Sequence, residues 1–447
     1  MTLLDLTPRS VVSDRLATLP VVIIGAGPIG LAAAANLIDR DIDFVIFEAG
    51  DDIAASIRSW GHTRLFSPWK HLVDPVAQRL LERTGWVLTE PDRAPTGTEL
   101  VEHYLVPLAQ LDAISSRTRT RTGSEVIGVT RAGMDRTRSR DRFATPFAIR
   151  VRTQDGAIEE VAARAVIDAS GTYRTPNSLA SNGLGLLGLA EIADRVAPAL
   201  PDVLGRDRAQ FAGRHTTVVG AGHSAANTLL ALVKLARDEP GTRVTWLIRN
   251  ASAVRVSSSD DDQLVGRAAL GSHVDRAVAD GRIHLIDGFE IIRGQRAHDS
   301  DDTDNLDEVE LVGHRSGEVV THRSDVVVNA TGFRPNLDIL REIRVELDDI
   351  VEAPRRLAPL IDPNVHSCGT VEPHGFLELT HPERGFFIVG MKSYGRAPTF
   401  LLATGYEQVR SVAAWLDGDT AAASRVELSL PSTGVCSTDI GGGSCCS

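Results

Sequence analysis

Gly25, Gly27 and Gly30 occupy the run GAGPIG, directly after the apolar stretch Val21 to Ile24 and ahead of an alanine-rich stretch from Ile29 to Arg40. Between a buried strand and a helix, each glycine of this spacing has its own use. Gly25 makes a tight turn, Gly27 lets a pyrophosphate approach the backbone, and Gly30 allows the helix to pack closely on the strand. Pro28 lies inside the same turn, and the free N–H groups and dipole of the helix start favour an anion there. A second apolar run, Phe44 to Phe47, ends at Glu48. A carboxylate at that point accepts hydrogen bonds from a ribose diol and repels a 2′-phosphate. The chemistry implied is dinucleotide binding.

The same unit recurs two hundred residues on. Thr216 to Leu232 contains GAGHSAAN, with Gly220, Gly222, Ser224 and Ala225 in the corresponding places, and the strand Arg243 to Ile248 ends in Arg249. A guanidinium in the position of the first copy's carboxylate inverts the preference, because it can clamp a 2′-phosphate with two parallel hydrogen bonds. This copy reads as an NADPH site.

The elements between and after the two units supply the remaining candidates. Residues 49–74 carry Trp60, His62, Arg64, Phe66, Trp69, Lys70 and His71 in a chain with only 5% aromatics, so this stretch is a candidate lining for the ring end of a bound dinucleotide. Ala165 to Gly171 and Ser324 to Gly332 read as buried strands ending in small residues, each closing one dinucleotide half. Gly385 to Gly390 is a further strand leading into Met391, Lys392 and a helix from Thr399 to Trp415. Trp60, His62 and Lys392 flank these positions and are the candidates for catalysis. Pro95 to Leu111 is an amphipathic helix with Leu100, Tyr104, Leu108 and Leu111 on one face. Glu125 to Thr130, Phe147 to Thr153 and Ala157 to Ala162 suit a small antiparallel meander. The acidic stretch Gly294 to Glu310 reads as a solvated hairpin tip.

The 447 residues are too many for one core, and a net charge of −12 argues against nucleic acid or an anionic membrane as partner. No apolar stretch reaches membrane-spanning length and the N-terminus lacks a signal-peptide pattern, so the cytoplasm is expected. Of four cysteines, Cys436, Cys445 and Cys446 lie in the last dozen residues, next to Gly441, Gly442 and Gly443. Neither a disulfide framework nor a metal centre is expected: His366 and Cys368 lack further ligands at metal spacing, and the tail thiols are the one candidate set for a soft metal or metalloid.

GAGPIG with Glu48, DASGTYRTPN, GAGHSAAN with Arg249, NATGFRPN and the final GFFIVG segment occur in the order seen in two-dinucleotide-domain flavoproteins of the flavin-containing monooxygenase type, and nearly the whole chain to about Leu430 resembles them. More narrowly, SWGHTRLFSPW, LIDPNVHSCGTV and GMKSYGRAPTFLLATGYEQVRS resemble flavoproteins encoded in bacterial arsenic-resistance operons. The resemblance implies an α/β fold with two Rossmann-like domains and a small antiparallel meander. A discontinuous FAD domain would span 1–205 and 331–430, an inserted NADPH domain 206–330, and a flexible cysteine-containing tail 431–447. It further implies that Gly25, Gly27, Pro28, Gly30 and Glu48 grip the ADP half of FAD, Val126 the adenine and Gly171 the pyrophosphate region. Trp60, Gly390 and Met391 would then face the ribityl chain or ring, while Gly220, Gly222, Ser224, Ala225 and Arg249 hold NADPH. Two departures stand out. The family's motif ahead of the second glycine turn is replaced by Phe211-Ala212-Gly213-Arg214, and its Gly-Asp near the C-terminus by Gly390-Met391.

FAD and NADPH together imply hydride transfer from nicotinamide to flavin. No CxxC or CxxxxC precedes the tail, which disfavours disulfide exchange. The expected activity is therefore a monooxygenase in which reduced flavin and O₂ form a hydroperoxyflavin that oxygenates sulfur, nitrogen or trivalent arsenic. The alternatives are an NADPH-dependent reductase or metalloid-handling enzyme using Cys436, Cys445 and Cys446, and a non-catalytic redox sensor. The expected partners are a small-molecule substrate and O₂, with a homodimer as one oligomeric option.

Overall fold

The computed structural model describes residues 14–116, 118–250, 265–297, 308–362, 373–397 and 400–428. Two five-stranded parallel sheets organise it. The first runs Phe386–Ile388, Ala165–Asp168, Val21–Ile24, Phe44–Phe47 and Thr120–Arg121 across its width. The second runs His284–Ile286, Arg243–Leu247, His215–Val219, Val326–Asn329 and Val196–Ala197. Inner strands buried on both faces read as continuous apolar runs, as Val21 to Ile24 and Val326 to Val328 do. The edge strand Thr120–Arg121 explains the arginine-rich stretch there: Arg119 and Arg121 cover the rings of Phe44 and Phe47 at 5.0 and 5.1 Å.

The helix after the first glycine turn, Pro28–Ile38, is buried from Ile29 to Leu37. Apart from Asn36, which donates to Asp74, it is apolar all round because it is enclosed, with the helix Leu402–Asp417 packed along it. The helix expected over Pro95 to Leu111 opens at Gly97 with a capping box between Thr96 and Glu99. It then widens into one π-type turn over Val101–Leu105 before Val106–Ala109. Pro107, which lacks an N–H, sits where that turn relaxes. Leu100, Tyr104 and Leu108 are buried as expected, while Leu111 lies beyond the helix end.

The meander Ser124–Arg131, Phe147–Thr153, Ile158–Ala163 packs on the first sheet through Val126, Val129 and Ile149. A buried triad ties it down: Glu383, just before the strand Phe386–Ile388, accepts from Arg131 Nε and Arg142 Nε, both at 2.9 Å. A second antiparallel sheet, which the sequence reading reduced to a hairpin, joins Glu290–Arg296, Val309–Arg315 and Glu318–Ser324. Val196–Ala197 also adds to the second parallel sheet although it precedes residue 206. Pairing with Val327 and Val328 recruits a two-residue strand too short to carry a pattern of its own. No helix among the described residues is long and apolar enough to cross a membrane.

Candidate functional site: two glycine turns and the crossover between them

Each parallel sheet ends in the same device. Gly25 has φ +98° and Gly220 φ +127°, a region that favours glycine. A Cβ on Gly25 would lie 2.9 Å from the Ala169 carbonyl oxygen, and one on Gly220 would lie 2.1 Å from that of Ala330. The backbone of the DASG and NATG segments thus presses directly on the two turns and leaves no room for a side chain at Gly25 or Gly220. Gly30 is tighter still, since its Cβ would sit 1.9 Å from the Gly25 carbonyl oxygen. Gly27 and Gly222 differ from these packing glycines. Neither has any atom within 4 Å of its Cβ position, so open space faces the two helix starts. An extended group such as a pyrophosphate fits that cradle.

Glu48 closes the first cradle. Its Oε2 accepts from Ala26 N at 2.7 Å and its Oε1 from Gly50 N at 2.8 Å. Each carboxylate oxygen retains a lone pair for a ribose hydroxyl, so the residue fits the diol role. The loop behind it is tied back by Ala54 N, which donates to the Ala26 carbonyl at 3.0 Å. In the second unit Trp246, buried in the sheet, donates Nε1 to the Gly220 carbonyl at 2.7 Å and pins the turn. Arg249 is exposed at its strand end and donates Nη1 to the Ser181 carbonyl at 3.2 Å. Ser224 lies in the helix after Gly222, and Ala225 is fully buried.

The remaining sequence candidates divide by environment. Trp60 lies half-buried against Gly97, whose Cβ would meet its ring at 2.9 Å. His62 is exposed; it lies near Asp207, whose carboxyl is held below the usual range, against the opposing effect of burial, mainly by hydrogen bonds from Arg206 and the Asp202 backbone. Phe66 packs on His223 at the start of the second glycine-turn helix, with ring centroids 5.3 Å apart. The aromatic stretch thus spans from the first unit to the second. Val126 turns its side chain into the core under the first sheet. Gly171, at φ +67°, has open space around it. Lys392 is fully buried, with Nζ 2.6 Å from Asp168 Oδ2 and 3.1 Å from Ser170 Oγ. These two contacts hold the ammonium against the DASG segment.

Gly390, at φ +68°, lies against Ile29, whose Cγ1 would be 3.0 Å from an added Cβ, and Met391 follows half-buried. What holds this turn escaped sequence reading. Gly390 N donates to Gln408 Oε1 at 2.7 Å, and Gln408 Nε2 contacts His374 Nε2 and Ser393 Oγ, both at 2.9 Å. The helix that carries Gln408 also holds Glu407, Arg410 and Ser411, so the local sequence does not single the glutamine out. The two halves meet where Asn177 N donates to the Gly332 carbonyl, Arg334 N donates to the Thr175 carbonyl, and the tilted rings of Tyr173 and Phe333 lie with centroids 5.0 Å apart. Cys368, Cys436, Cys445, Cys446 and His366 lie outside the described residues. No group of three metal-ligating side chains occurs among the described ones.

Residues 19–382 match the model of the pyridine nucleotide-disulphide oxidoreductase family, and no curated protein matches the chain. Among solved structures, the bacillithiol disulfide reductase of Bacillus cereus superposes with a TM-score of 0.65 at 20% identity, covering 90% of this chain and 99% of that one. The FAD-bound cadaverine monooxygenase of desferrioxamine biosynthesis from Erwinia amylovora gives 0.62 at 14%, with coverages of 94% and 99%. The ornithine hydroxylase of Pseudomonas aeruginosa gives 0.58 at 16%, with 90% and 99%. At these identities the neighbours share the fold. Two nucleotide cradles of matching geometry and a family match over most of the chain lead to one conclusion: this protein belongs to the pyridine nucleotide-disulphide oxidoreductase family and binds FAD and a pyridine nucleotide.

Proposed function

We propose that this flavoprotein is an NADPH-using monooxygenase that oxygenates a soft nucleophile, a sulfur or nitrogen centre or trivalent arsenic. One observation carries the reading: no cysteine occurs before Cys368, so neither nucleotide cradle has a dithiol in its own segment to take electrons from the flavin. The monooxygenases among the structural neighbours support it, and the resemblance to arsenic-operon flavoproteins motivates arsenic as a substrate to try. We assign FAD to the segments 1–205 and 331–430 and NADPH to 206–330.

Bound FAD supplies two-electron transfer from NADPH and reaction with O₂. The chain's own residues bind and orient. Glu48 takes the ribose diol, Gly27 and Gly222 admit the two pyrophosphates, and Phe66 on His223 covers the gap between the cradles. Arg249 engages the Ser181 carbonyl through one nitrogen and offers its other N–H groups to a 2′-phosphate. Replacing Arg249 by Ala is expected to raise the KM for NADPH about 10–100-fold, the loss of one charge-assisted contact, while NADH is affected less than about threefold. Steady-state kinetics with both donors reads this directly.

The decisive experiment is anaerobic reduction by NADPH followed by a pulse of oxygenated buffer with stopped-flow absorbance. A transient band whose decay accelerates with an accepted substrate is expected. Stoichiometric peroxide release with every sulfur, nitrogen and arsenic compound tried would overturn the proposal. The bacillithiol disulfide reductase neighbour favours a second reading, an NADPH-dependent reductase working through Cys436, Cys445 and Cys446. Truncation after Leu430 separates the two, because oxygenation survives it and thiol-dependent reduction does not.

A further inference from the structure

A cavity of about 770 Å³ opens at the starting edge of the second parallel sheet, away from the glycine turn. His215 begins the strand that ends at Val219, so the cavity lies about 16 Å along the strand from Gly220, at roughly 3.3 Å per residue. Four guanidinium groups line it, from Arg237, Arg243, Arg282 and Arg323, against one carboxylate, Glu308. Arg282 pairs with Asp280 at 2.6 Å and Arg323 with Glu310 at 2.9 Å. Arg237 and Arg243 have no acidic partner among the described residues. Hydrogen-bonding groups face the same space: His215 Nε2 meets Thr245 Oγ1 at 2.8 Å, and His322 Nε2 meets Thr217 Oγ1 at 2.7 Å.

We infer that this cavity is a binding site for a small polyanion, a phosphorylated or polycarboxylate metabolite of up to nucleotide size, separate from both dinucleotide cradles. The volume falls within the ordinary range for ligand sites. The two arginines without a partner present planar forks suited to phosphate or carboxylate oxygens. Both histidines lie below the ordinary imidazole value, chiefly because they are buried. Burial and then His215 and His284 push His322 down to about 4. Burial, Arg243 and His284 lower His215 against the opposing pull of Asp325. Both rings are therefore neutral at pH 7, and the charge facing the cavity is that of the four guanidiniums and the single carboxylate of Glu308. A bound anion supplies the missing counter-charge and raises both imidazole values.

The test uses the full-length, FAD-loaded protein with saturating NADP⁺ present, so that the second glycine turn is filled. Inorganic pyrophosphate, AMP and citrate are titrated separately by calorimetry at low salt. At least one is expected to bind, with affinity reduced tenfold or more in the Arg237→Ala, Arg243→Ala double variant, whose FAD content and KM for NADPH stay unchanged. Binding of pyrophosphate and AMP without citrate identifies a phosphate site, and binding of citrate alone a carboxylate site. Proton NMR should show the His215 and His322 ring resonances titrating at higher pH when the anion is bound. Absence of binding by all three probes overturns the inference. So does equal affinity in the double variant, or unmoved histidine titrations.

Discussion

Gly30→Ala is expected to yield a colourless protein with a sharply lowered thermal midpoint, whereas Gly27→Ala yields a stable protein that binds FAD weakly. The two glycines are three residues apart in one motif, but they face different things. A Cβ on Gly30 falls 1.9 Å from the Gly25 carbonyl oxygen, with Gly25 C at 3.0 Å. Both are backbone atoms of a turn already held by Gly25 N on the Phe47 carbonyl, so no side-chain rotation relieves the clash. The helix Pro28–Ile38 must lift from the sheet. Because it is buried from Ile29 to Leu37, the shift reaches the helix Leu402–Asp417 as well. A cost at or above the upper end of the about 1–3 kcal/mol typical of overpacking follows. Gly27, in contrast, has φ −79° and ψ −174°, extended backbone open to any residue, and nothing within 4 Å of its Cβ position. Its alanine variant should keep the thermal midpoint of the FAD-free protein and weaken FAD by at least tenfold, about 1.4 kcal/mol. The checks are visible absorbance per mole of purified protein, scanning fluorimetry and FAD titration of the stripped protein. Undiminished FAD affinity in Gly27→Ala would remove the cradle assignment.

Lys392→Met is expected to destabilise the protein by about 3–5 kcal/mol, the usual cost of removing one partner of a buried ion pair. Both side chains of the Lys392–Asp168 pair are fully buried, at 2.6 Å, and only Ser170 would remain to bond the carboxylate. Asp168 ends the strand paired to the central one, from which Ala169 reaches over Gly25, so the fault should also loosen FAD. A second variant separates bracing from proton transfer. Pairing Lys392→Met with Asp168→Asn removes both charges, and more than half of the lost stability should return. If Lys392 acts by positioning, the rate of NADPH oxidation in the FAD-loaded double variant recovers with stability. A folded, FAD-loaded but inactive double variant would instead place the ammonium in the chemistry.

Much of the architecture was legible in the residues alone. GAGPIG with Glu48 and GAGHSAAN with Arg249 announce two strand–turn–helix units, because backbone sterics, close packing and nucleotide charge restrict those few positions independently of distant contacts. The alternation in Phe147 to Thr153 likewise exposed the meander, since a strand's period follows from its own backbone. The inward face of the Pro95 helix was readable for the same reason, although the π-type turn at Val101–Leu105 was not.

What tertiary structure decided are the roles that depend on partners far along the chain. Lys392 is a candidate for catalysis by its place in the sequence, and only the fold shows Asp168, more than two hundred residues earlier, paired with it. Gln408 carried no motif, yet it holds Gly390. Phe66 joined the two halves through His223, and His215, His322 and four arginines gathered around one cavity from separate strands, a helix and a turn. Local sequence encodes which turn a glycine makes. Whether a charged side chain braces, binds or reacts depends on which distant group occupies the space beside it, and only the packed chain settles that.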